Sequence, residues 1–445
     1  MQLIPTFSTL LSILILAVSL QTHIHAVPTT PPHDLPSNTT LRRSHLSARV
    51  PPQQAPQQPP PAIVLPVGII GRDALYYTQL NIGTNPRPFN LVIDSGSQTF
   101  WVNSESQRNL GTRNGIGPHS STTFTLRQPP KSWSTSYADD SGVSGKVARD
   151  TVHVRGTAVL PNFSFGTGET LTGIMDTLGG DGVIGFSVGP SRATGAPTLV
   201  EALTFARLIP AAKSGWKLPR LADGGQGGEI MLGGVNPALF VPPLVTVPAD
   251  RSARDWRIRI DGVSVQGVQV AGQRTGILDS GANVIGVPSA DAAALHAHIA
   301  DCIELLDGNF LIPCDSRPLV VIGIGANSWP MRASDLVGDE VVHPEVPQGM
   351  CRSRIEVANT RKWLVGSPFL KNVYHVLDVT ARKVIMLENS FPGGKISGIY
   401  GSIADGTQYD IEFDFGGGAG MGYCSAAAKS QKAGCNTMTG SQSNN

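Results

Sequence analysis

Two segments of the chain, residues 91–97 and 276–282, repeat one pattern, an apolar run that ends in Asp-Ser-Gly. The two runs carry Asp94 and Asp279 at matching positions. A buried strand that ends in Asp and a conformationally free Gly places a carboxylate at the rim of an apolar platform, where another backbone can approach closely. Two such carboxylates brought together supply a general acid and a general base. The duplication therefore predicts two similar halves that share one site.

A second repeated element follows each Asp segment. One apolar run ends at Gly185, 91 residues after Asp94, and another ends at Gly366, 87 residues after Asp279. Such a run is typical of a strand that supports the Asp loop from behind, and its Gly permits close packing. Short β-branched and aromatic runs elsewhere alternate with turn residues, as in strands and hairpins. We predict an all-β, bilobal fold, with two β-barrel-like lobes related by pseudo-twofold symmetry, a few short helices and a cleft between the lobes.

The composition excludes several function classes. The formal net charge is only +1 and no basic run is interleaved with aromatic residues, so a nucleic-acid partner is not expected. His298 and Cys302 lie four residues apart, but two ligands do not make a metal site. The glycine run at residues 416–422 lacks the strand, helix and Lys that a phosphate-binding loop needs. We therefore predict no metal and no cofactor.

Changes in composition divide the chain into five segments. Residues 1–26 hold an apolar stretch that is too short to span a membrane and ends near a small residue, which predicts a secretory signal. The predicted segments are 1–26, signal peptide; 27–70, Pro/Gln-rich propeptide or linker; 71–240, N-terminal lobe with the first Asp loop; 241–395, C-terminal lobe with the second; and 396–445, Gly/Ser-rich tail. We expect a secreted, monomeric protein with no membrane association after signal removal. Delivery to an acidic, vacuole-like compartment is the alternative.

An exported chain can carry disulfides and N-linked glycans. The five cysteines all lie in the last third of the chain, at positions 302, 314, 351, 424 and 435. We expect Cys314–Cys351 and Cys424–Cys435 pairs, which leave Cys302 without an intramolecular partner. Asn162 begins an Asn-Phe-Ser glycosylation sequon, and a second sequon begins at Asn38.

These motifs together resemble the pepsin-like aspartic endopeptidases of the secreted, fungal type, over roughly residues 71–395. The resemblance also rests on Trp101, which is similar to the tryptophan of the strand after the first Asp loop. Tyr137, within residues 136–145, looks like the tyrosine of the flap hairpin that closes over bound peptide in that family. In the family the indole of this tryptophan is hydrogen-bonded to the tyrosine hydroxyl. The resemblance implies a pepsin-like fold and a peptide or protein substrate.

The resemblance implies a role for each residue of the two Asp loops. Asp94 and Asp279 would be catalytic and would share one proton, because two neighbouring carboxylates cannot both ionise cheaply. The orienting residues would be Ser95, Ser280 and Ser97, and the substrate-binding or flap residues would be Tyr137, Asp139, Trp101, Gly96 and Gly281. Ala282 departs from the family pattern, in which a hydroxyl commonly bonds the second Asp. Loss of that donor should raise the pKa of Asp279.

Two alternative functions remain open on the sequence. Ser187 lies in a Gly-x-Ser-x-Gly segment typical of serine hydrolases, with Asp279 and either His343 or His375 downstream. Against it, Gly and Pro interrupt the helix that should follow the serine. A catalytically silent pepsin-like protein that binds peptide is the other alternative. A third Asp-Ser-Gly, which begins at Asp140, lacks the preceding apolar strand and is explained by turn chemistry.

Overall fold

The computed structural model describes residues 59–156, 158–177, 179–389 and 436–437, and most of these residues lie in strands or in the turns between them. The strands up to the middle of the chain are β1 (Ile63–Ile70), β2 (Leu75–Ile82), β3 (Phe89–Asp94), β4 (Trp101–Asn103), β5 (Thr125–Leu126), β6 (Ser132–Ser136), β7 (Gly142–Arg155), β8 (Ala158–Gly168), β9 (Thr170–Thr172), β10 (Gly182–Gly185), β11 (Lys213–Lys217), β12 (Gly228–Leu232) and β13 (Phe240–Pro248).

The remaining strands are β14 (Arg257–Ile260), β15 (Gly262–Val265), β16 (Val268–Ala271), β17 (Arg274–Leu278), β18 (Ile285–Val287), β19 (Ile303–Glu304), β20 (Phe310–Pro313), β21 (Val320–Ile324), β22 (Asn327–Pro330), β23 (Val337–Glu340), β24 (Met350–Ser353), β25 (Ile355–Val357), β26 (Trp363–Val365), β27 (Val373–Asp378), β28 (Lys383–Asn389) and β29 (Asn436–Thr437). The helices are short: α1 (Ile174–Thr177), α2 (Leu199–Phe205), α3 (Ser289–His296) and α4 (Ser367–Leu370), with 3₁₀ turns at Leu221–Asp223, Pro237–Leu239 and Ala333–Asp335. The all-β bilobal prediction is confirmed.

The largest sheet contains strands from both halves of the chain. Its order is β13-β28-β27-β11-β12-β1-β2-β3-β10-β4-β8-β7-β5, and β6 and β9 add to β7. The other sheets contain strands from the second half, in the orders β14-β17-β26-β18-β25, β16-β15-β21-β22 and β23-β24-β20-β19-β29. Strands β27 and β28 therefore connect the second half to the first through β11.

The strand that carries Asp94 lies inside the sheet and has parallel support. Strand β3 is buried at five of its six positions, which explains its nearly continuous apolar sequence. It pairs with β10 in parallel, so that Gly185 lies opposite Asp94. Strand β10 also pairs with β4 in the antiparallel direction, next to Trp101. Strand β10 thus lies between β3, which enters the Asp loop, and β4, which follows it.

The second half repeats this arrangement around Asp279. Strand β17 leads into the loop and pairs in parallel with β26, with Leu278 opposite Val365. Strand β26 in turn pairs with β18 in the antiparallel direction. The two halves therefore use the same three-strand support for their Asp loops, as the repeated motifs predicted.

One hydrophobic core runs through both halves and includes three fully buried tryptophans, Trp216, Trp256 and Trp363. The Trp256 indole donates to the Phe186 carbonyl at 2.9 Å, across the two halves. The Trp363 indole donates to the Asp291 carboxylate at 2.8 Å. These bonds satisfy polar groups that would be costly to bury unpaired. The lobes are therefore joined by apolar contact as well as by the shared sheet.

The fold begins earlier than the sequence predicted. Strand β1 lies inside the segment 27–70 that was assigned to a propeptide or linker, and Leu65 and Val67 are buried in the core. The reason is that β1 fills the position between β12 and β2, with its one internal proline, Pro66, facing solvent. Position 71 is therefore wrong as the start of the folded part.

The disulfide prediction is half correct. Cys314 and Cys351 form a disulfide, as predicted. Cys302 is disulfide-bonded as well, so the prediction that it lacks a partner was wrong. Spacing along the chain was a poor guide because β29, in the tail, lies beside β19, the strand that directly follows Cys302. The predicted Cys424–Cys435 pair lies outside the described residues.

The predicted signal peptide, residues 1–26, lies outside the described residues, as does most of the 396–445 tail. Within the described ranges, no helix has the length and apolar character needed to cross a bilayer.

Candidate active site

The two Asp-Ser-Gly loops face each other across the lobes. A methyl group placed on Gly96 would lie 2.5 Å from the carboxyl carbon of Asp279. A methyl group placed on Gly281 would lie 2.9 Å from the carboxyl carbon of Asp94. Each carboxyl group therefore lies directly over the glycine of the opposite loop. The structure brings these four predicted residues together, and only glycine leaves room for the approach.

The serines of the two loops bond reciprocally. The Ser95 hydroxyl donates to the Leu278 carbonyl at 3.0 Å and accepts from the Ser280 amide at 2.9 Å. The Ser280 hydroxyl donates to the Ile93 carbonyl at 2.9 Å and accepts from the Ser95 amide at 3.0 Å. All four bonds are buried, so their loss would leave unpaired polar groups in the interior. They fix the position of one loop relative to the other.

Both carboxyl groups have a raised pKa. Burial raises the pKa of Asp94, and burial together with the negative charge of Asp94 raises the pKa of Asp279 well above its usual range. The carboxyls are within hydrogen-bonding reach of each other, a contact that lowers the pKa of Asp94 and raises that of Asp279. The geometry thus favours an ionised Asp94 beside a protonated Asp279, with the pair titrating as a unit.

The hydrogen bonds of the two carboxylates differ. Asp94 Oδ1 accepts from the backbone amides of Gly96 at 2.8 Å and Ser97 at 3.1 Å. The Ser97 hydroxyl is close enough to lower the pKa of Asp94, although among the described residues it does not meet hydrogen-bond geometry. Asp279 Oδ1 accepts from the Gly281 amide at 2.9 Å, and the Ala282 amide also lowers the pKa of Asp279, but Ala282 offers no hydroxyl. Asp94 is therefore the better stabilised anion.

Backbone groups hold each loop from behind. The Phe186 amide donates to the Asp94 carbonyl at 2.7 Å, and the Ser367 amide donates to the Ala282 carbonyl at 2.8 Å. A methyl group on Gly185 would lie 2.5 Å from the Gln98 carbonyl carbon. On Gly366 it would lie 2.2 Å from a backbone oxygen. Both supporting glycines are therefore required by close backbone contact.

Tyr137 lies at the tip of the hairpin formed by β6 and β7. Its hydroxyl accepts a hydrogen bond of 2.8 Å from the indole of Trp101. The ring packs against the apolar cluster that contains Trp101, Leu171 and Val183, with Met175 at its edge. Burial and the negative charge of Asp94 raise the pKa of the Tyr137 hydroxyl, so it stays neutral. Tyr137 thus faces the same space as the first carboxylate.

The acidic residues of this hairpin serve its turn. Asp139 is exposed and accepts hydrogen bonds from the Ser141 amide at 3.2 Å and the Ser141 hydroxyl at 2.6 Å. Asp140 is also exposed and has a φ of 61°. The structure therefore places neither carboxylate beside the Asp pair.

Ser187 is not arranged as a nucleophile. Its hydroxyl donates to the Arg254 carbonyl, and its amide donates to the Ser97 carbonyl at 2.9 Å. In the described part of the chain no hydrogen bond joins it to a histidine, and His375 is buried against Trp216. Ser187 supports the first Asp loop instead.

Asn162, the predicted glycosylation site, is not part of the Asp site. Asn162 is exposed in β8, with a φ of 53°, where the register with β7 shifts. The Asn38 sequon lies outside the described residues. Within the ranges that the structure describes, no group of three or more His, Cys, Asp or Glu residues could hold a metal ion.

A buried ion network below the Asp loops was missed on the sequence. Arg220 binds Asp335 through two nitrogens, at 2.9 and 3.0 Å, and Lys371 lies 2.9 Å from the same carboxylate. Lys371 also lies 3.1 Å from Asp73, in the turn between β1 and β2. Although burial opposes it, the charges of Arg220 and Lys371 lower the pKa of Asp335. These residues lie too far apart along the chain for any motif to reveal them.

The chain is similar in sequence to known aspartic proteases. A family model described as eukaryotic aspartyl protease matches residues 75–388. Rhizopuspepsin from Rhizopus chinensis is 31% identical over 330 residues, which cover 71% of this chain and 78% of that protein. A probable aspartic-type endopeptidase CTSD from Arthroderma benhamiae is 26% identical over 352 residues, 77% of this chain and 67% of the relative. An aspartic-type endopeptidase ctsD from Aspergillus fumigatus is 25% identical over 327 residues, 72% of this chain and 67% of that relative.

Proposed function

The chain belongs to the eukaryotic aspartyl protease family and is an aspartic-type endopeptidase, and from that premise we propose that Asp94 and Asp279 are its catalytic pair. The observation that carries the proposal is the position of each carboxyl group over the glycine of the opposite loop. Asp94 is buried and Asp279 is half-buried at the meeting of the lobes, and both of their pKa values are raised. One proton can therefore be shared at a pH at which isolated carboxyl groups would both be ionised.

The two aspartates take different parts in the reaction. Ionised Asp94 accepts a proton from a water molecule, whose oxygen attacks the peptide carbonyl carbon. Protonated Asp279 donates its proton to the carbonyl oxygen, which gives a tetrahedral diol. In the collapse of the diol the C–N bond breaks, Asp94 gives its proton to the leaving amine, and Asp279 takes a proton from one hydroxyl, which becomes the new carbonyl. The pair thereby returns to its starting protonation state. Pepsin likewise uses two Asp carboxylates that share one proton.

The Ser95 and Ser280 bonds support this chemistry by rigidity. A general base works only if its substrate atom lies within hydrogen-bonding reach, and small displacements are costly. The reciprocal bonds fix both loops without using the carboxylate oxygens that face the cleft. We assign the two serines an orienting role, and Ser97 a weaker one at Asp94.

The substrate is expected to be an extended peptide that lies between the lobes, beneath Tyr137. Main-chain hydrogen bonds would hold it and alternating pockets would select side chains, over roughly six to eight residues. The apolar cluster beside Tyr137 favours an apolar side chain next to the cleaved bond. The hydrogen bond from Trp101 would hold the flap tyrosine in place for closure.

Substitution of the aspartates is the decisive experiment. Asp94→Asn and Asp279→Asn should each lower kcat on a fluorogenic peptide by at least about 10³-fold, since acid–base catalysis contributes 10²–10⁴ and the pair acts as a unit. Asp140→Asn is the matched control, because it alters an Asp-Ser-Gly that lies on the exposed flap tip. Its activity should change less than about twofold, in line with an ordinary surface substitution.

Inhibitors separate the alternatives. A statine-type peptide should block the unmodified enzyme, and a fluorophosphonate should leave Ser187 unlabelled. Full activity in both Asn variants, or labelling of Ser187 with loss of activity, would contradict the proposed pair. A protein that binds the statine peptide but cleaves nothing would be a silent binder.

We propose export from the cell as well. The apolar stretch within residues 1–26 and the disulfide Cys314–Cys351 support it, because disulfides persist mainly in oxidising compartments. The protein recovered from medium should begin after residue 26, and endoglycosidase should lower its mass unless both sequon asparagines, Asn38 and Asn162, are replaced by Gln. Retention of the activity inside the cell, with an intact N-terminus, would contradict export.

A further inference from the structure

A small cavity of about 50 Å³ lies between the turn that joins β1 to β2 and the loop that carries Asp279. Its lining includes Arg72, Asp73, Asn283, Asp335, Arg354 and Lys371. Ile70 and Leu75, at the two ends of the turn, pack on the same apolar cluster as Tyr137. The cavity therefore lies between two elements near the Asp pair. One is the β1–β2 turn, which packs on the same cluster as Tyr137, and the other is the loop that carries Asp279.

The inner wall of the cavity is electrically balanced. Its two acids, Asp73 and Asp335, are both bound by Lys371, and Asp335 is also bound by Arg220. These partners are mostly buried, with side-chain exposures of 4–5% for Lys371, Arg220 and Asp335 and 18% for Asp73. The inner acids therefore have cations of their own.

The outer wall carries an excess of positive charge. Arg354 donates to the Asn283 carbonyl at 3.2 Å and to the Arg72 carbonyl at 3.5 Å, which directs its guanidinium into the gap between the lobes. No acid of the described residues lies within ion-pair distance of it. Burial raises the pKa of nearby, half-buried Glu356, and the charges of Arg352 and Arg354 oppose that rise only in part. Among the residues that the structure describes, the acid that Arg72 approaches is Asp339, at 3.9 Å, with both side chains largely exposed. Such a surface contact is weak.

The arginines are within reach of a bound peptide. Asn283 is four residues beyond Asp279, and the chain between them turns back, since the Ala282 amide donates to the Asp279 carbonyl at 3.3 Å. An extended peptide advances about 3.3 Å per residue. A side chain about two to four positions from the cleaved bond would therefore meet Arg354.

We propose that Arg72 and Arg354 form a cationic subsite that binds an acidic side chain of the substrate, two to four residues from the cleaved bond. The inference rests on the proposed catalytic pair and names a substrate class for it. A carboxylate can accept two parallel hydrogen bonds from a guanidinium, which makes arginine the suitable cation. The two arginines come from different lobes, so the subsite exists only when the lobes are assembled.

Matched peptides test the subsite. Fluorogenic substrates that differ only by Glu, Gln or Lys are compared at each of the four positions on either side of the cleaved bond, at pH 5.5. At one position Glu should exceed Gln by about three- to tenfold in kcat/KM, mainly through KM, as expected for a partly enclosed ion pair. The preference should shrink at 0.5 M NaCl, where screening is strong, and disappear at pH 3, where Glu is neutral.

Variants assign the preference to the two arginines. Arg354→Gln should reduce the Glu-to-Gln ratio to about one, and Arg72→Gln should reduce it partly, as loss of one exposed cation does. Arg352→Gln is the matched control, because Arg352 is exposed on the same chain segment, two residues away, and does not line the cavity. It should leave both the ratio and the activity unchanged. Each ratio is taken within one variant, so a general loss of activity cannot mimic the effect.

The outcomes separate this inference from the proposed function. Cleavage of the Gln peptides without any preference for Glu would overturn the subsite alone. A preference that survives in the double Arg72→Gln, Arg354→Gln variant would do the same. Failure to cleave any peptide would overturn the proposed function and the subsite with it. Inhibition by statine peptides carrying Glu or Gln gives a second readout that does not depend on turnover.

Discussion

The Asp94 loop and the Asp279 loop have the same scaffold and different hydrogen-bond donors. Each follows a strand with parallel support, each is bonded to the other through a serine, and each accepts the opposite carboxyl group over its glycine. They differ at the third position after the aspartate, which is Ser97 in the first half and Ala282 in the second. The duplicated loops thus share one backbone geometry. The difference between Ser97 and Ala282 changes the donors around each carboxylate.

This difference assigns the proton. A carboxylate with more donors holds its charge more readily, and one with fewer donors is protonated at higher pH. Burial and the charge of Asp94 raise the pKa of Asp279 well above its usual range, and Asp279 lacks the hydroxyl neighbour that lowers the pKa of Asp94. Two loops that were fully alike would still share a proton, but neither would be preferred as the acid. The Ser-to-Ala difference biases one loop toward the acid and the other toward the base.

Substitution of the loop glycines should have the largest effect on kcat of the changes considered for the two loops. Gly96→Ala would place a methyl group 2.5 Å from the Asp279 carboxyl carbon, and Gly281→Ala one 2.9 Å from that of Asp94. The carboxyl groups must move, and a displacement near 1 Å costs about 10²-fold in rate. We expect a loss of at least about 10² in kcat for both, and the larger loss for Gly96→Ala.

Gly272→Ala is the control for these variants, because a methyl group there would have no atom within 4 Å. It should retain full activity. If Gly96→Ala kept more than about half of the wild-type kcat, far from the 10²-fold loss expected of a 1 Å displacement, the close approach of the two loops would be wrong.

Removal of the loop serines should have the next largest effect on activity, and the two serines should give similar effects. Ser95→Ala and Ser280→Ala each remove two buried hydrogen bonds and leave a buried amide without its acceptor, at a cost of about 1–3 kcal/mol. We expect similar losses in the free energy of unfolding, measured in urea, and a fall of about 10-fold or more in kcat from poorer positioning. The control is exposed Ser252→Ala, which should change neither.

A double-mutant cycle sharpens the same comparison. The four bonds connect two loops, so breaking one set should loosen the other, and the double variant should lose less than the sum of the single variants. Strict additivity, or a large difference between Ser95→Ala and Ser280→Ala, would show that the loops are not joined as a reciprocal pair.

The sequence predicted what local repeats can encode. The Asp-Ser-Gly loops and the supporting glycines are short patterns whose copies lie in equivalent structural positions, so Gly185 and Gly366 could be paired with Asp94 and Asp279 before the fold was known. Tyr137 was found because a flap has a recognisable neighbourhood. Each of these signals is contained within a dozen residues.

What the sequence did not predict depends on contacts between distant residues. The partners in the buried ion network are 115 residues apart for Arg220 and Asp335 and 298 apart for Asp73 and Lys371. Charged residues are usually exposed, so nothing in the local pattern marks them as buried. The mistake over Cys302 has the same cause, because its strand meets a tail segment that is remote in sequence. Strand β1 was missed because it directly follows a proline-rich stretch and contains a proline itself.

The smallest expected effect is a shift in the pH profile, and it tests the one difference between the loops. In the proposed mechanism activity needs one ionised and one protonated carboxyl group, so the acidic limb should report the lower apparent pKa of the pair and the basic limb the higher one. A hydroxyl added by Ala282→Thr would stabilise ionised Asp279, lower its pKa and move the basic limb to lower pH. Ser97→Ala would remove a neighbour that lowers the pKa of Asp94 and would move the acidic limb to higher pH.

The Ala282→Thr shift should be about half a unit to one unit, because one pKa unit corresponds to 1.36 kcal/mol and a hydrogen bond contributes about that much. The Ser97→Ala shift should be smaller, because the Ser97 hydroxyl lies near Asp94 without meeting hydrogen-bond geometry among the described residues. The measurement is kcat/KM for a neutral peptide across the acid range, so that only the enzyme titrates. The double variant, Ser97→Ala with Ala282→Thr, moves the hydroxyl from the first loop to the second. It should therefore exchange which of the two aspartates has the higher pKa. An unchanged profile in Ala282→Thr would mean that the missing hydroxyl does not set the acidity of Asp279. The proton would then be placed by burial and the charge of Asp94 alone.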